Sequence, residues 1–220
     1  SRKRKLRWKP RNGAPDVEVI SSFFNLLTHL DQHLLLLLQN YGGWVYLILF
    51  LIIFCETGLV VTPFLPGDSL LFVTGTLAAT GALNVHGVAL LLMAASFSGD
   101  NTNYWIGRYL GPKVFRKEQS RFFNYYYLEK TRSFYEKHGG KTILIARFIP
   151  IIRTFAPFVA GIGRMRYLRF VLYSLGGSVF WISFFVFGGF YFGNVPLVKQ
   201  NLTAFIILII FVSILPGAVG

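Results

Sequence analysis

Two stretches of this chain, 56–75 and 142–163, are apolar enough to lie in lipid, yet each carries two charges of one sign and two prolines. The first holds Glu56 and Asp68 with Pro63 and Pro66; the second holds Arg147 and Arg153 with Pro150 and Pro157. An ionised side chain at membrane depth costs about 2.5–3.5 kcal/mol on insertion scales, so such groups are retained where they act. Proline lacks an N–H and collides with the preceding turn, so neither stretch reads as one continuous helix. Irregular backbone at that depth must be satisfied by protein or by water in a cavity.

The setting of these stretches supports lipid over a soluble core. Hydrophobic residues make up 54% of the 220 positions, charged residues only 14%, and mean hydropathy is positive. The net charge of +13 raises the question of nucleic acid, which the distribution answers. Seven of the 22 basic residues fall in the first eleven positions and nine in 108–141, both beside apolar runs, as a cytoplasmic bias of Lys and Arg produces. No nucleic-acid partner is therefore expected. Cys55 is the only cysteine, so no internal disulfide or thiolate metal site is available, and it reads as a packing residue.

In chain order, residues 1–15 read as a disordered basic arm and 16–40 as an interfacial amphipathic helix, polar at Asn25, His29, Asp31, Gln32 and His33. His29 and His33 share a helical face, but with no further ligands nearby they read as polar surface rather than a metal site. The membrane domain proper covers 41–220, with a first span over 41–60, a re-entrant hairpin over about 61–83 and a second span from 85 to about 107. The sequence Gly107 to Gly111 with Pro112 beyond it reads as a helix stop. A basic cytoplasmic loop over about 108–141 follows, then a second hairpin over about 142–163, the interfacial Arg164, Arg166 and Arg169, a span over 170–193 and a last span over 202–220.

With both basic segments cytoplasmic, the acidic hairpin enters from outside and the arginine hairpin from inside. Each is followed by a span bearing a G-x-x-x-G, GRYLG at 107–111 and GFYFG at 189–193, which lets helices approach closely. The fold class expected is an all-α integral membrane protein, with transmembrane helices plus two opposed re-entrant helical hairpins related by an inverted repeat. Broken helices that meet near the midplane are where transporters place substrate.

Glu56, Asp68 and Asp100 are opposed in sign by Arg147 and Arg153. Ion pairing alone is one reading of them, and buried pairs are weak evidence for stability. The other assigns the carboxylates to proton or cation exchange and the arginines to an anionic headgroup, since guanidinium presents paired donors and keeps its charge. Hydrolytic chemistry finds little support: there is no G-x-S-x-G, H-E-x-x-H, Walker loop or cysteine–histidine cluster, so no catalytic residue, metal or cofactor is assigned.

FCETGLVVTPFLPGDSLLFVTG, GDNTNYWIGRYLG and HGGKTILIARFIPIIRTFAPFVAGIGRM occur in that order. Together they resemble the signature segments of the DedA family of bacterial inner-membrane proteins, related to the eukaryotic VTT-domain lipid scramblases. The resemblance covers about 17–220 and implies a multi-pass protein of the bacterial cytoplasmic membrane that depends on the proton-motive force and serves envelope integrity. In some members it implies return of undecaprenyl phosphate across that membrane. It assigns function to the acids at Glu56 and Asp68 and the arginines at Arg147 and Arg153, and less firmly to Asp100. The function expected is a proton-coupled flippase of an anionic polyprenyl phosphate lipid, with membrane lipids and protons as partners and a homo-oligomer allowed. The alternatives are a proton-coupled exporter of small cations or drugs, a lipid scramblase and a non-transporting envelope factor.

Overall fold

The computed structural model describes residues 42–59, 67–114, 140–147 and 149–196, with Ala204 and Leu208 beyond them. The expectations for 1–15, 16–40, Pro63, Pro66, most of the 108–141 loop and nearly all of 202–220 lie outside the described residues. Six helices are described: α1 (Trp44–Gly58), α2 (Gly67–Ala79), α3 (Val85–Val114), α4 (Lys141–Ala146), α5 (Pro150–Ile162) and α6 (Tyr167–Phe192). The described fold is thus helical, and α6 is long and apolar enough to cross a membrane.

The helix lengths differ. At 1.5 Å per residue the 26 residues of α6 and the 30 of α3 exceed the ~30 Å of a hydrocarbon core, whereas the 15 of α1 and 13 of α2 reach only about three-quarters and two-thirds of it. α1 packs mainly along α3 and touches α2 only locally. Near the start of α1, the Tyr46 hydroxyl accepts a hydrogen bond from the Asn84 N–H after α2 (3.1 Å). At the other end, the Glu56 carboxylate lies directly against Gly67, the first residue of α2. Of the span expected over 41–60, residues 42–59 are described, and α1 covers 15 of them.

In the second half, α4 ends at Ala146, and Ile149 is extended (φ −119°, ψ 109°), as the residue before a proline tends to be. Pro150 opens α5, where its missing N–H costs nothing. Pro157, expected to be a second break, is not one, since α5 runs through it. A single proline removes only the bond to the carbonyl four residues back, here that of Arg153. The stop expected at Gly107 to Pro112 is also overrun, with α3 continuing to Val114. Gly107 serves packing instead: a Cβ there would collide with the Phe158 carbonyl of α5.

Packing is reciprocal. α2 lies along α6, where Gly75 meets the Val186 carbonyl and Gly189 meets the Phe72 carbonyl. α5 lies along α3, where Gly161 meets the Tyr104 carbonyl. α3 and α6 run antiparallel and touch through Ser96 Oγ and Ser178 Oγ (3.3 Å) at one level and Tyr104 and Phe170 (ring centroids 4.4 Å) at another. Leu49, Ile53, Leu71, Leu92, Ile182 and Val186 form the main apolar core. Around it the burial pattern is inverted relative to a water-soluble protein: Ser174 and Ser178 of α6 are buried while Leu172, Phe180 and Phe184 are exposed. That face suits acyl chains.

Candidate functional site: two buried arginine clusters

All five charged residues singled out in the sequence converge between these helices. Arg153, from the first turns of α5, forms ion pairs with Glu56 of α1 and with Asp68 of α2 (Nη1 to Oδ1, 2.8 Å). Arg147, in the break ahead of α5, pairs with Asp100 of α3. Both guanidiniums are 5% exposed or less, as are Glu56 and Asp100; the Asp68 side chain is 13% exposed. The two clusters stand six residues apart in the chain, one on each side of the break at Pro150.

Helical periodicity explains how single helices serve both clusters. Ser96, Asp100, Asn103 and Gly107 recur at spacings of four, three and four, which places them on one face of α3. Ser174, Gly177, Ser178 and Trp181 do the same on α6. The Arg147 guanidinium donates to the Ser96 hydroxyl (3.1 Å), the Ser174 carbonyl (3.1 Å) and the Ser178 hydroxyl (2.9 Å), while the Ser174 hydroxyl donates to Asp100 (2.6 Å). Gly177 leaves the room this requires, because a Cβ there would stand 2.5 Å from Arg147 Nε.

Asn103 ties the half-length helices to α3. Its amide donates to the Thr154 carbonyl of α5 (2.6 Å) and the Thr57 carbonyl at the end of α1 (3.3 Å). Thr57 in turn donates its hydroxyl to the Ile53 carbonyl (2.8 Å) within its own helix. Asn103 lies within the GDNTNYWIGRYLG segment, where nothing in the sequence sets it apart; only the fold shows that its face meets α1 and α5.

Trp181 was missed altogether. Its indole N–H donates to Asp68 Oδ1 (2.9 Å), and the Arg153 guanidinium carbon lies 4.3 Å from the ring centroid. A tryptophan in an apolar span looks like any packing residue, and the one available signal was its helical register with Ser174 and Ser178. At the opposite end of α3, Arg108 donates to the Tyr104 hydroxyl (2.8 Å) and that hydroxyl to the Met165 carbonyl (2.6 Å), which fixes the α5–α6 turn. Among the described residues no group of three or more His, Cys, Asp or Glu could hold a metal ion.

A bundle of helices with polar faces inward, apolar faces outward and a charge cluster locked at its centre defines a helical membrane protein. The VTT domain profile matches residues 65–191, and the chain belongs to the DedA family of VTT-domain proteins. It is 54% identical to Protein DedA of Escherichia coli K12 over 92% of this chain and 94% of that one. An uncharacterized membrane protein of Mycobacterium leprae is 43% identical over 77% of this chain and 76% of its own, and the inner membrane protein YqjA of E. coli K12 is 34% identical over 70% of each. No solved structure matches the chain.

Proposed function

We propose that this protein is a proton-coupled transporter of an anionic lipid carrier, with undecaprenyl phosphate returned across the bacterial cytoplasmic membrane as the substrate. The observation that carries this reading is Arg153, a buried guanidinium held between carboxylates from two other helices. A phosphate monoester offers it the same paired oxygens that Glu56 and Asp68 do, so a lipid phosphate can replace one carboxylate without leaving the arginine uncompensated. The displaced acid is then the group that takes up or releases a proton.

The reciprocal packing supports an inverted repeat. In this reading α1–α2 and α4–α5 are re-entrant hairpins from opposite faces, with α3 and α6 as the crossing helices, α2 laid along α6 and α5 along α3. Arg164, Arg166 and Arg169, exposed at the α5–α6 turn, favour a cytoplasmic location for that end by their charge. The inverted halves give the two clusters a route to face either side in turn.

A second reading has one observation in its favour. Three carboxylates, of which Glu56 and Asp100 are buried, against two guanidiniums leave one excess negative charge, which a proton or a small monovalent cation would neutralise. An exporter of small cations would use that charge directly. Binding separates the two readings: purified wild-type protein is expected to bind undecaprenyl phosphate and not undecaprenol, and Arg153→Lys, which keeps the charge and loses the planar fork, to weaken that binding at least about ten-fold. Equal binding of the phosphate and the alcohol would overturn the lipid-phosphate assignment.

A further inference from the structure

The oxygen of Asp68 that pairs with Arg153 is shared. Oδ1 accepts from Arg153 Nη1 at 2.8 Å and from Trp181 Nε1 at 2.9 Å, and the same indole carries the guanidinium over its face. Trp181 is 4% exposed, and a buried indole N–H needs an acceptor, which here is a carboxylate. The indole is a donor only and stays neutral, so it can hold an anion without competing for its proton. Glu56 and Asp68 also differ in access, since the Glu56 side chain is 0% exposed and the Asp68 side chain 13%. An anion arriving from outside the cluster therefore meets Asp68 first.

From this we infer that Trp181 is the positioning residue of the exchange, retaining Asp68 through its N–H while the phosphate of the lipid replaces that carboxylate at Arg153. The stacked ring keeps the guanidinium plane fixed during the exchange, so that its donors are presented to either anion from one pose. Ser174 and Ser178 do for Arg147 what Trp181 does for Arg153, on the same face of α6. The inference rests on the lipid-phosphate reading above and adds to it the residue that keeps the displaced acid in place.

The test uses the full-length protein in nanodiscs with undecaprenyl phosphate as titrant and undecaprenol as control, bound lipid being measured with radiolabel. In one variant Trp8, Trp44 and Trp105 are replaced by Phe, leaving Trp181 as the only tryptophan; its emission, excited at the red edge where tyrosine does not absorb, should change in step with bound phosphate and stay constant with the alcohol. Trp181→Phe keeps a ring under Arg153 and removes the N–H. It should bind undecaprenyl phosphate within about two-fold of wild type but move it across proteoliposomes at least about ten-fold more slowly, the loss expected for a hydrogen bond to a charged group. Trp181→Leu should lose binding as well as rate. Radiolabel binding with unchanged Trp181 emission, or wild-type translocation by Trp181→Phe, would overturn the role of Trp181 and leave the transport reading standing. No phosphate-dependent binding by the wild type would overturn both.

Discussion

Arg147 and Arg153 look alike in sequence, but their surroundings differ in kind. Arg147 has one carboxylate, Asp100, and otherwise neutral hydroxyls and a carbonyl, whereas Arg153 has two carboxylates and an aromatic face. Charge balance around Arg147 is therefore closed, and removing either partner leaves the other buried without compensation. Asp100→Leu alone is expected to destabilise the protein by about 3–5 kcal/mol, and adding Arg147→Met to recover most of that loss. Thermal unfolding in detergent measures the recovery. If the pair serves only the fold, the stable double variant should also transport; the transport reading predicts that it does not.

Between helices, backbone proximity decides what is tolerated. Gly75, Gly107, Gly161 and Gly189 each stand where a Cβ would strike a carbonyl of the facing helix, while Gly176 and Gly188 of α6 have nothing within 4 Å. Leucine at any of the first four should separate a half-length helix from its long partner and lower the unfolding temperature. Alanine at 176 or 188 should be neutral or raise stability by up to about 1 kcal/mol, the helix-propensity difference. Equal losses in both groups would contradict the crossings. This distinction was half legible in the sequence. The echo of GRYLG by GFYFG was visible and its use for close approach holds at Gly107 and Gly189, yet the same glycines with Pro112 also read as a helix end, because a stop and a crossing use the same small residue. Likewise Pro150 marked a real break and Pro157 did not. A proline at the first position of a helix and one inside it are the same letter, and only the extended Ile149 before Pro150 separates them.

Across the protein, the charges and their convergence were readable, whereas the path of the chain between them was not. Signs and positions alone brought Glu56, Asp68 and Asp100 towards Arg147 and Arg153. The length of α1 was hidden, since an apolar run ending at Glu56 has the composition of a span, and its shortfall appears only once both helix ends are known. The proposed hairpins imply a specific topology. In a Cys55→Ser background, single cysteines at Gly43 and Ala82 should react with a membrane-impermeant maleimide from one side and a cysteine at Arg166 from the other; a span over 41–60 would put Gly43 and Ala82 on opposite sides. In the proposed reading, opposed halves let one buried site serve two faces. The central claim is that this site moves a lipid phosphate at the expense of a proton gradient, and reconstituted protein tests it most directly. Proteoliposomes carrying the wild type should translocate undecaprenyl phosphate, faster with an imposed pH gradient than without one, and Arg153→Lys should abolish the gradient-driven part. Translocation that is absent, or that ignores both the gradient and Arg153, would contradict the account.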